Sequence, residues 1–137
     1  MGFERFGTVS FTTETKAADF INYLEKGQVS ATRCKKCGRV YFPPRVQCAD
    51  DLTTEVEWTS LSESGTLLTF TQVNYGPSGF ENDTPYTLAV VEFDEGIRVF
   101  GRLDKTIPSG DIKVGMKLRA ERLNLAEGKI SYQFVKA

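Results

Sequence analysis

Apolar positions along this chain follow two periods. Ala17, Phe20, Ile21 and Leu24 recur at i, i+3, i+4 and i+7, which is one stripe of a helix over 16–26. Thr15 suits its N-cap, Lys26 its last turn, and Gly27 the left-handed residue that stops it. A helix this short persists only when its stripe is packed, internally or against a partner. From Gln28 onward the period drops to two. Strands are predicted over 29–34 and 40–42, the second ended by Pro43-Pro44. Further strands are predicted over 56–61, 66–75, 86–93, 97–103, 116–123 and 130–135.

The turn chemistry between the strands supports this division. Gly76-Pro77-Ser78-Gly79 is a strong break opening a loop over 76–85, and Asp94-Glu95-Gly96 is a hairpin turn. In the strand over 66–75, Leu67, Thr69, Thr71 and Val73 fall on one face, with Leu68, Phe70 and Gln72 on the other. The run 86–93 is almost continuously apolar, which reads as a central strand or one buried on both faces. Five or six evenly spaced strands with glycine turns make a small closed barrel or sandwich, most economically an OB-type barrel. The chain therefore reads as mostly β. An arm and helix occupy 1–27, a cysteine module 28–54, and the barrel 55–137. The arm, with Phe3, Phe6, Val9 and Phe11, wants an apolar surface on its own domain or on a partner.

Composition then narrows the chemistry. The 137 residues are 40% hydrophobic, enough for a real core. They contain no histidine, which removes Ser-His-Asp and Cys-His catalysis and all histidine-ligated metal sites. No secretory signal and no stretch of about 20 apolar residues is visible, and three cysteines cannot pair fully, so the cytoplasm is the expected compartment. The net charge is −1, with the barrel half at −3, from 9 basic and 12 acidic groups. That balance argues against a binder of single-stranded nucleic acid, the main alternative for an OB barrel.

The cysteines carry the clearest signal. Cys34-x2-Cys37-Gly38 is a metal knuckle: two thiolates two residues apart face one ion, and glycine closes the turn. Cys48-x2-Asp51 has the same spacing, with aspartate where a full ribbon has its fourth cysteine. Zinc accepts both sulfur and carboxylate, so Cys34, Cys37, Cys48 and Asp51 form an allowed ligand set, with Asp50 competing for the last place. Three other readings stay open: a ribbon folded without metal, iron in the same ligands, and a redox Cys34/Cys37 pair. Arg33, Lys35, Lys36, Arg39 and Arg45 lie within 13 residues without an acid, a basic rim for an acidic partner or for phosphates. The bland reading of that rim is a solvated surface. Tyr41 and Phe42 are expected to pack beneath the ribbon, and Trp58 at the ribbon–barrel junction. Glu92, Asp94 and Glu95 read as a solvated hairpin and not as a paired-carboxylate site.

Taken in order, these motifs resemble a known family. They are Leu24-Glu25-Lys26-Gly27, Arg33-Cys34-Lys35-Lys36-Cys37-Gly38, Tyr41-Phe42-Pro43-Pro44-Arg45, Cys48, Gly65, Pro85-Tyr86 and Gly101-Arg102-Leu103. Over about 15–137 the chain is similar to the acyl-CoA-associated OB-fold proteins with an N-terminal rubredoxin-like zinc ribbon. The resemblance implies a non-catalytic subunit that forms a hetero-oligomer with a thiolase-fold enzyme. The implied cofactors are a structural zinc and a CoA thioester shared with that enzyme, with no nucleic acid and no membrane as partner. Asp51 departs from the family's fourth cysteine, which bears on the metal and not on the fold.

Overall fold

A computed structural model describes residues 5–7, 17–78 and 84–137. The helix α1 runs over Asp19–Glu25, shorter at its start than the periodicity predicts. Its N-cap is Ala18, which offers no side-chain oxygen to the first turn, and Thr15 lies outside the described residues. The end is as expected. Gly27 takes φ +87°, its N–H donates to Leu24 O, and the Gln28 N–H reaches back to Tyr23 O, both bonds of a Schellman stop. Phe20, Ile21 and Leu24 are all buried, so the stripe packs within the chain itself.

Two sheets follow. The first has the order β2-β1-β3 and is antiparallel, built from β1 (Ser30–Cys34), β2 (Val40–Tyr41) and β3 (Val56–Ser60). This corrects one expectation. The strand over 56–60 was expected to open the barrel, yet Cys34 pairs with Val56 and Ser30 with Ser60, so β3 completes the ribbon sheet. Alternation gives a strand's faces but not its neighbour.

The second sheet has the order β6-β5-β4-β7-β8, from β4 (Gly65–Val73), β5 (Tyr86–Phe93), β6 (Arg98–Arg102), β7 (Lys117–Asn124) and β8 (Ile130–Lys136). It closes on itself. Leu103 and Phe134 form a parallel bridge, and the Asp104 N–H donates to Phe134 O at 2.8 Å. That closure makes the five-stranded OB-type barrel.

Two details differ from simple alternation. In β4, Leu67 pairs with Val91 but Thr69 pairs with Val90, a bulge that puts Phe70, opposite Ala89, on the same face as Leu67. The strand β5 is central but buried on one face only: Ala89, Val91 and Phe93 are inside, Leu88 and Val90 half-buried, Glu92 exposed. At the Asp94–Gly96 turn, Gly96 adopts φ +81° and the Phe93 N–H donates to Ile97 O.

One core joins all the parts. Phe20, Ile21 and Leu24 of α1, Ala31 and Val40 of the ribbon, and Leu67, Val91, Val99, Leu118 and Phe134 of the barrel are contiguous. Phe6 from the arm meets Phe20 and Tyr132, with ring centroids 5.6 and 6.3 Å apart, and the Gly7 N–H donates to Ile130 O. The arm therefore docks on its own domain at this point. Arg5 adds an ion pair with Glu25 and bonds to Gly128 O. Phe42 packs edge-on against both Phe20 and Tyr132, tying ribbon, helix and barrel together. Trp58 leans on Tyr23 at 5.6 Å, half-buried at that junction.

Gly65 opens β4 where no side chain fits. A Cβ there would stand 2.5 Å from Val91 Cγ1 and 3.0 Å from Glu92 O. Backbone cannot yield as a side-chain tip can. Gly65→Ala is expected to lower stability by about 1–3 kcal/mol in urea unfolding.

Candidate metal centre

Two knuckles of the same construction face each other. In the first, the Cys34 N–H donates to Arg39 O at 2.9 Å and the Gly38 N–H to Cys34 O at 2.9 Å. In the second, the Cys48 N–H donates to Thr53 O at 2.9 Å and the Leu52 N–H to Cys48 O at 3.0 Å. Both therefore carry the same pair of turn bonds at the same offsets. Gly38 takes φ +79°, and Leu52, at the matching place, takes φ +59°. Leucine is a costly residue in the left-handed region, so the second closure carries no glycine signal in the sequence.

The four predicted ligands converge. Sγ of Cys34, Cys37 and Cys48 and a carboxylate oxygen of Asp51 all lie within 4.8 Å of one another. Cys37 Sγ is 3.6 Å from Cys48 Sγ, and Cys34 Sγ is 3.5 Å from Asp51 Oδ2. Tetrahedral zinc with 2.3 Å bonds to sulfur and about 2.0–2.1 Å to oxygen places two sulfurs about 3.8 Å apart and sulfur and oxygen about 3.5 Å apart. The donor set therefore fits zinc in both chemistry and spacing. Cys34 and Cys48 are buried while Cys37 is exposed, so one side of the centre faces solvent.

Asp50, the competing acid, is engaged elsewhere: Arg39 holds both its oxygens at 3.0 Å. Asp51 is oriented by the Thr53 N–H on Oδ1 at 3.1 Å, and that bond is the first cause of its lowered pKa. The Cys48 thiol is shifted down, first by the Tyr41 hydroxyl and then by the backbone of Asp51. Cys37 is the opposite case. An Arg39 backbone N–H pulls it down, but partial desolvation of the sulfur together with Cys34 and Cys48 pushes it up to about 11. Cys37 thus resists ionisation beside its neighbours, and a divalent cation relieves that.

The basic rim is unevenly used. Arg39 and Arg45 both place their guanidinium groups over the Tyr41 ring, 5.2 and 5.3 Å from its centroid. Arg33 is half-buried on β1, and Lys35 and Lys36 are exposed on the first knuckle. Among the acids of the β5–β6 turn, Glu92 pairs with Arg98 at 3.3 Å. Glu95 is not simply solvated, because it accepts the Ser62 N–H at 2.8 Å.

Thr32 sets the loop that carries Arg45. It is fully buried; its hydroxyl donates to Arg45 O at 2.7 Å and accepts the Arg45 N–H at 2.9 Å. Thr32→Val keeps the shape but strands both Arg45 backbone groups. A loss of about 1–3 kcal/mol is expected from denaturant midpoints.

Twin knuckles on a three-stranded sheet, joined to a closed five-stranded barrel, define a rubredoxin-like zinc ribbon fused to an OB fold. Comparison with known proteins gives the same pair. Residues 22–57 match the ChsH2 rubredoxin-like zinc ribbon domain, and residues 58–122 the ChsH2 C-terminal OB-fold domain. The chain belongs to this family. It is 36% identical over 107 residues to a DUF35 domain-containing scaffold protein of Methanocaldococcus jannaschii, covering 74% of this chain and 75% of that one. It is 34% identical over 107 residues to the benzoylsuccinyl-CoA thiolase subunit BbsA of Geobacter metallireducens, covering 76% and 71%. The fold is shared with a solved structure titled Ltp2-ChsH2(DUF35) aldolase, at TM-score 0.76 and 20% identity, over 92% of this chain and 98% of that one. Among the described residues no helix is long and apolar enough to cross a membrane.

Proposed function

We propose that this chain is a non-catalytic accessory subunit of a thiolase-fold acyl-CoA enzyme. Its ribbon would be held by zinc on Cys34, Cys37, Cys48 and Asp51. The observation that carries this reading is the likeness to a benzoylsuccinyl-CoA thiolase subunit, 34% over 107 residues, in a chain with no histidine to act as general base. The zinc supplies folding energy to a segment without a core of its own, and no substrate chemistry is asked of it. Lys35, Lys36 and Arg45, exposed around the centre, suit an acidic face of the enzyme or the phosphates of a CoA thioester shared with it.

The test is purification of the tagged full chain from its native host. A thiolase-fold subunit identified by mass spectrometry in stoichiometric amount supports the reading. So does thiolysis of acyl-CoA by the complex and none by this chain alone. A chain that stays monomeric in its host, or that cleaves acyl-CoA by itself, overturns it.

A further inference from the structure

The centre has a polar neighbour that contributes no ligand. Tyr41, at the end of β2, is 7% exposed and packs directly on Cys34 and Cys48. Its hydroxyl lies 3.3 Å from Cys48 Sγ and accepts the Ala49 N–H at 3.0 Å. Because Ala49 supplies a proton to the oxygen, the phenolic proton is left for sulfur. A metal-bound thiolate has no proton to give, so Tyr41 must be the donor.

We propose that Tyr41 is an outer-sphere positioning residue for the metal centre, donating its hydroxyl to Cys48 Sγ and holding the second knuckle against the ribbon sheet. The inference rests on the zinc centre proposed above. Outer-sphere donors fix the orientation of a ligand and tune its donation to the metal. An ion pair between Arg39 and Asp50 also joins the approach to β2 with the second knuckle. Both of its side chains are more than half exposed, at 54% and 57%, and an ion pair in that setting contributes little. Tyr41 makes its two bonds in a buried site, where a lost partner is not replaced by water. Arg45 over its face and the buried packing on Cys34 and Cys48 keep the ring in place even when the hydroxyl is removed. Tyr41→Phe therefore keeps the ring and removes both bonds of the hydroxyl, the O–H···S donation to Cys48 and the acceptor of the Ala49 N–H, and the cobalt spectrum reads the first of them.

The experiment compares the full-length wild type, Tyr41→Phe and Arg39→Gln. Zinc affinity is read by competition with a chromophoric chelator, and cobalt is substituted for the spectrum. Tyr41→Phe is expected to bind zinc about 10–100-fold more weakly. Its sulfur-to-cobalt charge-transfer band should move to longer wavelength, because an unbonded thiolate is the better donor. Arg39→Gln should leave both within about twofold of wild type. An unshifted cobalt band in Tyr41→Phe overturns the proposal, whether affinity is retained or falls through lost packing. A wild type that takes up neither metal removes the centre and the role of Tyr41 together, and a wild type that binds while Tyr41→Phe is unaltered removes only the latter.

Discussion

Chelation of zinc is expected to unfold the second knuckle while the barrel persists. Between β2 and β3 no helix or strand forms, and beyond Phe42, which packs on the main core, the segment is held by turns, by the Thr32–Arg45 bonds and by the small buried cluster of Cys34, Tyr41 and Cys48. So little apolar burial does not repay the ordering of some fourteen backbone residues, at about 1–2 kcal/mol each. A structural zinc supplies an apparent binding energy of about 10–16 kcal/mol toward that cost. Hydrogen exchange reads the result. The amides of Cys48 and Leu52, which donate to Thr53 O and Cys48 O, should lose protection in excess chelator. Those of the central strand β5 should keep it. The ligands should also rank. Cys48→Ala removes a buried sulfur and should abolish tight zinc binding. Asp51→Ala leaves three sulfurs, with water as the fourth ligand, and should be milder. Asp51→Cys should bind more tightly than wild type. Protection over 48–53 that survives chelation would remove zinc from this account.

The second knuckle also shows where sequence reading stops. Cys34-x2-Cys37-Gly38 carries its own turn glycine and was legible at once. Cys48-x2-Asp51 was legible only by spacing, because Leu52 takes the left-handed turn that glycine takes at 38. The backbone bonds, identical in offset, show that ligand identity changed while the turn did not. Tyr41 was legible as buried but not as a partner of sulfur, since that contact joins residues on two separate elements. The same limit explains β3. Its residues alternate as a barrel strand would, and only the pairing of Val56 with Cys34 assigns it to the ribbon. Local pattern defines an element and its buried face. Neighbours, bulges and outer-sphere contacts depend on what lies across the sheet.

Phe134→Ala is expected to be the most destabilising single change in the barrel, at about 3–5 kcal/mol. Phe134 is fully buried on β8, where Leu103 closes the sheet by its parallel bridge. Its ring packs on Phe93 and Tyr132, each with centroids 6.3 Å away. Gly101, on the facing strand β6, leaves the space that ring occupies: a Cβ there would come within 2.9 Å of Phe134 Cε2. Small glycine and large phenylalanine are thus complementary across the seam. Removing the ring leaves a cavity lined by strand backbone that cannot collapse without losing the bond from Asp104 N–H to Phe134 O. A loss of this size is a large share of the 5–15 kcal/mol that keeps a domain folded. Because helix, ribbon and barrel share one core, the effect should reach the ribbon too, as a lower urea midpoint with an unchanged slope. Phe100 is the internal control. It lies one residue before Gly101, points outward and is 60% exposed, so Phe100→Ala should cost no more than about 0.5 kcal/mol in the isolated chain. Equal costs at the two positions would mean that the barrel is not closed through Phe134, and the seam between β6 and β8 would have to be held elsewhere.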